Sequence, residues 1–264
     1  MPLTNIFFQV LFIYCALSVL YLFAFSLLGN LFYRKNKRQN FEPLNRIIIL
    51  VPAYKEDAII LSTAKSLLDL NYPSDYYDVY IIADSFQSDT VESLRQLPIH
   101  VVEVSFDKST KTKSLNEGFK AINKEYNIAL ICDADNILAK DFLQKINNAF
   151  INGAKAVQGR RVAKNLDTSF AILDACSEAI NNTIFRKGPN AIGLSSSVIG
   201  SGMAFDFLLI KDVLSRINAI GGFDKILQLD LVEKKIKIQY LDDAIIFDEK
   251  VGSSYAFKQQ RKRW

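Results

Sequence analysis

The sequence predicts an α/β protein built on a mostly parallel sheet and preceded by one membrane-spanning helix. Three observations predict it. Residues 1–33 carry no charged side chain. From residue 45 onward, short β-branched runs alternate with helical stretches. Several of those runs end in acidic residues, and open α/β sheets gather their chemistry at the carboxyl ends of their strands.

The apolar run 6–32 is long enough to cross a hydrocarbon core, which takes roughly 20 helical residues. Its apolar residues lie all round the helix, not on one face, so a helix on a soluble core is disfavoured. Arg34, Lys35, Lys37 and Arg38 follow at once. Nothing basic precedes the run except the chain's own amino terminus. The positive-inside rule therefore predicts an N-terminus outside and a cytoplasmic catalytic domain, as at a bacterial inner or plasma membrane. A cleaved signal peptide would want a basic n-region, a shorter apolar core and a small-residue cleavage site. Those are absent, so a retained anchor is expected over 1–38, with 39–43 as the hinge into the soluble part.

Composition narrows the remainder. Half of the 264 residues are hydrophobic and 23% are charged, which suits an α/β core plus an apolar segment. A net charge of +4 is too small to argue for nucleic acid as a partner. Cys15, Cys132 and Cys176 form no CxxC or Cys/His cluster, so they read as reduced core thiols and not as a zinc site. His100, the one histidine, reads as a half-buried strand residue, which weakens any Ser-His-Asp triad.

In the soluble part, 47–51 reads as a buried strand closed by Pro52, and 56–70 as a helix stopped by Asn71-Tyr72-Pro73. Strands are expected over 79–83, 99–104 and 128–132, with helices over 90–96 and 114–125. Alternation of this kind implies right-handed crossovers. Residues 168–186 read as an amphipathic helix with Phe170, Leu173, Cys176, Ile180 and Ile184 on one side. Residues 199–207 read as a strand broken by Gly200 and Gly202.

The chemistry-bearing residues stand at strand ends. The first strand runs into Tyr54-Lys55-Glu56-Asp57, the second ends in Asp84, and the fourth ends in Asp133-Ala134-Asp135. Carboxylates pointing into one crevice suit a hard cation such as magnesium or manganese, bridged to phosphate oxygens. The alternative is that these are turn aspartates capping the next helix. There is no GxGxxG after the first strand and no GxxxxGK[ST]. A dinucleotide dehydrogenase or P-loop ATPase is thereby disfavoured, and metal and cations are left to hold a diphosphate.

Four segments together carry a family resemblance. Val51-Pro52-Ala53-Tyr54-Lys55-Glu56-Asp57 resembles the VPAYNEE opening of family 2 glycosyltransferases. Lys111-Thr112-Lys113-Ser114-Leu115-Asn116 resembles their KGGALN segment, and Asp133-Ala134-Asp135 matches their DxD. Gln260-Arg261-Lys262-Arg263-Trp264 resembles the Q(Q/R)xRW motif of the membrane-embedded, processive branch that includes cellulose, chitin and hyaluronan synthases. The resemblance covers 47–264. It implies the GT-A fold over 39–258, with 259–264 opening a membrane-interface region, and hence a chain truncated after that motif.

The resemblance also implies roles. Tyr54, Glu56 and Asp84 would hold the base and ribose of a nucleotide, usually UDP, and Lys111 would lie near the diphosphate. Asp133 and Asp135 would serve diphosphate and metal, with Asp135 the direct ligand. Gly202 and Met203 belong to the segment that lines the acceptor site. Gln260, Arg263 and Trp264 would face the diphosphate and the acceptor sugar. Asp224 falls where the TED motif places a catalytic base; on local grounds it also reads as a helix N-cap after Gly221-Gly222. Phe223 stands where that motif has glutamate, and Ile226 where many relatives carry a further acid. The implied activity is inverting, metal-dependent transfer of a sugar from a UDP-sugar to a glycan or lipid-linked acceptor at the membrane. Two alternatives stay open: a single-addition transferase, and an inactive domain that only binds nucleotide-sugar.

Overall fold

The computed structural model describes residues 3–33, 42–219, 221–254 and 258. A long helix, α1 (Leu3–Leu31), leads in. The first half of the domain then runs β1 (Ile47–Tyr54), α2 (Ile60–Leu67), β2 (Tyr77–Asp84), α3 (Ser88–Arg95), β3 (His100–Val104), α4 (Lys111–Ala121) and β4 (Ile128–Ile131). The second half runs β5 (Ile137–Leu138), α5 (Phe142–Ile151), β6 (Ala156–Ala163), α6 (Ser169–Asn181), a π-helical turn (Asn182–Lys187) and α7 (Gly188–Ala191). It finishes with β7 (Met203–Asp206), α8 (Phe207–Arg216), α9 (Phe223–Glu233) and β8 (Ile238–Asp248).

The eight strands form one mixed sheet in the order β3-β2-β1-β4-β7-β6-β8-β5. The ladders β1–β2, β1–β4, β2–β3 and β6–β8 are parallel. The inserted β7 runs antiparallel to both β4 and β6, because the chain enters it from the carboxyl edge at Gly202. Two reversals across β7 restore the direction of β6 to that of β4.

Side chains of β1 alternate between two buried layers. Ile47, Ile49 and Val51 pack with α2 and α5 on one face, and Ile48 and Leu50 pack with α4, α8 and α9 on the other. Each fully buried Ile or Leu contributes about 1.5–3 kcal/mol of transfer free energy, so the central strands fix the frame on which the site is built. β1 runs through Pro52 to Tyr54 instead of stopping at the proline. The β4 ladder ends at Leu50, so Pro52 lies beyond it.

The expected helix over 56–70 is shorter. Lys55 takes a left-handed φ of 54°, and Ile59 and Ile60 donate to the Glu56 carbonyl at 3.2 and 3.1 Å. The chain therefore makes a turn at Glu56 before α2 begins.

Two expectations about burial are corrected. Only Cys132 is a core thiol; Cys15 and Cys176 are exposed. His100 is exposed at the edge of the sheet, its ring stacked on Tyr80 with centroids 4.3 Å apart.

The helix over 168–186 is turned inside out relative to expectation. Its apolar residues Ile172, Leu173 and Ile180 face outward, while Asp174, Glu178, Asn182 and Arg186 are buried. The polar stripe is stable inside because it meets opposite charge. Glu178 accepts from Arg161 at 2.7 Å and from Arg186 at 2.8 Å.

α1 packs against the end of this same unit. A Cβ at Gly188 would overlap the Phe25 carbonyl, and one at Gly29 would press on the Gly188 backbone at 3.0 Å. Small residues thus let two helical segments approach closely. The Tyr33 hydroxyl donates to the Tyr240 carbonyl at 2.8 Å and accepts from the Asp242 N–H at 3.1 Å, tying the end of α1 to β8.

Candidate functional site: a carboxylate-lined cleft at the carboxyl ends of three strands

β1, β2 and β4 are parallel neighbours, so their carboxyl ends share one edge of the sheet. Tyr54 stands opposite Asp84 in the ladder. The residues that follow them, Lys55 and Ser85, both take left-handed φ, at 54° and 59°. Such backbone is costly for residues other than glycine and concentrates at functional turns. Here it turns the chain sharply at both strand ends.

A cavity of about 150 Å³ opens there, lined by Tyr54, Asp84, Thr110, Lys111 and Ser114, with Pro52, Ala53 and Ser109. Asp84 is fully buried. Its Oδ1 accepts from the Ser85 hydroxyl at 2.9 Å, but its Oδ2 has no partner among the described residues. A buried acceptor without a partner costs about 1–3 kcal/mol, so this oxygen is a donor-seeking group at the cleft. Tyr54 is half exposed and offers a ring face beside it. Glu56 is exposed on the adjoining turn.

The amino end of α4 forms the opposite wall. Thr110 caps it, accepting from the Lys113 N–H at 3.2 Å. An exposed helix start presents unpaired N–H groups to an anion. Sequence reasoning left the diphosphate to metal and cations alone; the capping Thr110 before Lys111 was the available signal for this helix start. Lys111 forms an ion pair with Asp133 and donates to the Gly200 carbonyl at 2.8 Å. Its ammonium also lies 5.4 Å from the centre of the Phe223 ring. Phe223, standing where a glutamate was expected, is thus packed against the lysine.

Behind the cleft lies a buried polar lattice. The Asp133 N–H donates to the Ser201 hydroxyl at 2.9 Å, and that hydroxyl donates to the Asn136 side chain. Asn136 in turn donates to Asp135 and to Asp248, both at 3.0 Å. Asp248 also accepts from Lys250 at 2.8 Å. Asn136, Asp248 and Lys250 escaped the sequence reading, although Asn136 directly follows the DxD, and Ser201 was expected in the acceptor-lining segment 200–203 and not in this lattice. Burial, with Asp248 and Asp133 nearby, pushes the Asp135 carboxyl up to about 6.

A cation would relieve that repulsion, so the donor set fits a hard divalent ion. Among the described residues no three acidic, His or Cys side chains form a cage by themselves.

The remaining predicted residues are placed as follows. Gly202 takes a φ of 59°, and a Cβ there would overlap Ile246. Met203, the first residue of β7, is fully buried in the core, and its side chain is not part of the cleft lining. Asp224 lies in the first turn of α9, where Gly222, not Asp224, is the cap residue. Gln260, Arg263 and Trp264 lie outside the described residues.

Comparison with known proteins bears on the family and the fold. The family model described as "Glycosyltransferase like family 2" matches residues 45–264. The chain is 23% identical over 249 residues to the probable glycosyltransferase YdaM of Bacillus subtilis, covering 86% of this chain and 56% of that protein. It is 27% identical over 232 residues to a beta-monoglucosyldiacylglycerol synthase of Nostoc, covering 83% and 48%. The chain thus spans about half the length of the curated relatives it matches. Among solved structures it resembles the mannosyltransferase PcManGT from Pyrobaculum calidifontis, in complex with GDP-Man and Mn2+. That match has a TM-score of 0.67 and 15% identity, covering 94% of this chain and 72% of that one. It also resembles the glucosyl-3-phosphoglycerate synthase of Mycobacterium tuberculosis, in complex with Mn2+, UDP and phosphoglyceric acid. There the TM-score is 0.54 and the identity 14%, covering 84% and 75%. The mixed α/β architecture is therefore of the GT-A kind, and the chain belongs to glycosyltransferase family 2.

Proposed function

We propose that this domain transfers a sugar from a nucleotide-sugar, most simply a UDP-sugar, to a glycan or lipid-linked acceptor at a membrane surface. One observation carries the reading: Asp84 and Lys111 line one cleft, with Asp133 and Asp135 joined to it through the Lys111 ion pair and the Asn136 lattice. In this reading Tyr54 stacks on the base, and the partnerless Asp84 Oδ2 accepts an N–H from it. Glu56 takes the ribose. Lys111 and the start of α4 hold the diphosphate.

Asp135, with Asp133, would hold Mg2+ or Mn2+, which neutralises charge on the departing diphosphate. Asp224 takes the proton from the acceptor hydroxyl as its oxygen attacks the anomeric carbon. The nucleoside diphosphate leaves on the opposite side, so configuration inverts in one displacement. Gly202 shapes the acceptor side, with Met203 behind it; the family resemblance would have Gln260, Arg263 and Trp264, which lie outside the described residues, face the diphosphate and the acceptor sugar.

The membrane placement draws on α1. Within Asn5–Leu31 the most apolar 18-residue stretch has a mean hydropathy of 2.3 and none of that stretch is buried, unlike the core helix of a soluble protein. The outward apolar face of α6, which leads into the π-helical turn packed on α1, supports the same placement. The basic residues after position 33 argue for a cytoplasmic domain. Relatives named as beta-monoglucosyldiacylglycerol synthases favour single addition to a lipid over processive synthesis, and product length separates the two.

The test is hydrolysis or transfer from a panel of nucleotide-sugars with Mn2+. Asp135→Ala and Asp224→Asn should each lower the rate by roughly 100-fold or more. Equal rates in all three proteins would remove the enzymatic reading and leave a binding domain.

A further inference from the structure

A larger cleft, of about 850 Å³, opens where α1 meets the domain. It shares no lining residue with the Asp84 cleft. Lys155 and Lys237 immediately precede β6 and β8, which run parallel to β4, so both stand at the sheet edge opposite Asp133. Ala156 pairs with Ile238, which sets the two lysines side by side. Lys235 joins them from the end of α9, where it takes a left-handed φ of 59°. The Ile236 N–H closes that turn on the Leu231 carbonyl at 2.8 Å. Three separate elements thus deliver three ammonium groups to one cleft.

Nothing in the wall answers their charge. No acidic side chain lines the cleft, and none of the three lysines has an ion pair among the described residues. The other side of the cleft is formed by Phe32 and Tyr33, which directly follow the apolar helix. A ligand matched to both sides carries negative charge at one end and hydrocarbon at the other.

We propose that this cleft binds the phosphate-bearing headgroup of an anionic membrane phospholipid, with its acyl chains lying along α1. The inference rests on the reading of α1 as a membrane anchor. Basic pockets beside membrane helices are suited to acidic headgroups, which gain from each lysine at headgroup depth. A free phosphate shares the headgroup chemistry but leaves Phe32 and the adjoining apolar helix without a partner. The site would orient the domain on acidic bilayers and is separate from the donor cleft.

The test uses the full chain in neutral detergent, titrated with fluorescent phosphatidylglycerol or phosphatidylcholine. Wild type should prefer phosphatidylglycerol by roughly fivefold or more. In Lys155→Gln/Lys235→Asn/Lys237→Gln that preference should fall below about twofold, with an unchanged circular dichroism spectrum. If the triple variant fails to fold, Lys155→Gln/Lys237→Gln should show an intermediate loss. No preference in wild type, or an equal one in the variants, overturns the proposal. Displacement of the lipid by an equal concentration of inorganic phosphate would overturn it in favour of a free-anion site. Alkaline carbonate extraction of membranes reads the anchor independently: a chain retained in the pellet upholds the anchor whatever the lipid preference, and a chain released removes the anchor reading and the lipid source with it.

Discussion

At the scale of single residues, Asp135 carries the sharpest consequence. Burial and two neighbouring carboxylates raise its carboxyl to about 6, so a proton competes with a cation between neutral pH and pH 5. The sign for the empty protein is the reverse of a usual aspartate. Ionised Asp135 costs stability, so its contribution is full below the ordinary 3.8 and is lost as pH rises through about 6. Mn2+ affinity, followed by calorimetry, should therefore fall steeply from pH 7 to pH 5 in the wild type. In Asp135→Asn it should be weak and nearly flat over that range; a parallel slope in both proteins would place the titrating group elsewhere. Asp84, Asp133 and Asp135 were legible in sequence because each follows a buried β-branched run. Asp248 and Lys250 were not. They reach the lattice from a strand end more than 100 residues further on, and only folding brings Asp248 to Asn136.

At the scale of elements, the first half of the domain was readable and the second only in part, for a physical reason: α6 and β7 were expected, while β6, α8 and β8 were not. β1, β2 and β4 are almost wholly buried and apolar. β6 carries Gln158, Arg160 and Arg161 inside a strand, which breaks the apolar signal. Arg161 is tolerated there because it meets Glu178 and Asp248. The same pairing inverted α6, whose apolar stripe was expected to face the core. Burial opposes ionisation of Glu178, but Arg161 and Arg186 outweigh it and hold the carboxyl below its usual value. Its stabilisation is present above the ordinary 4.5 and fades as pH falls through the lowered value. Glu178→Gln should cost about 3 kcal/mol near neutral pH by leaving buried guanidiniums without a counter-charge. Thermal denaturation should show a Tm lower by roughly 10 °C, with the two proteins converging in acid. A loss below about 1 kcal/mol would mean that water or another acid compensates.

At the scale of the whole molecule, α1 and the domain are joined through a close crossing of small residues, with Tyr33 tied to β8 beyond it. Gly188→Val should push Phe25 away and uncouple α1 from the π-helical turn and α7. The exposed native thiols Cys15 and Cys176 can carry spin labels, while Cys132 is buried and stays unlabelled. The distance distribution between the labels should be narrow in wild type and broad in the valine variant; two identical distributions would deny the docking. Sequence foresaw the long apolar helix and the α/β domain, but not their contact, because a lone Gly29 and a lone Gly188 look like ordinary helix-weakening glycines until they face each other.

The donor cleft at the carboxyl ends of β1, β2 and β4 is the claim on which the functional reading stands. Calorimetric titration of UDP in the presence of Mn2+, in wild type, Asp84→Ala and Asp133→Ala, tests it most directly. Saturable binding in the wild type, weakened roughly tenfold or more in each variant, is the predicted result. Variants that bind UDP as tightly as the wild type would contradict it.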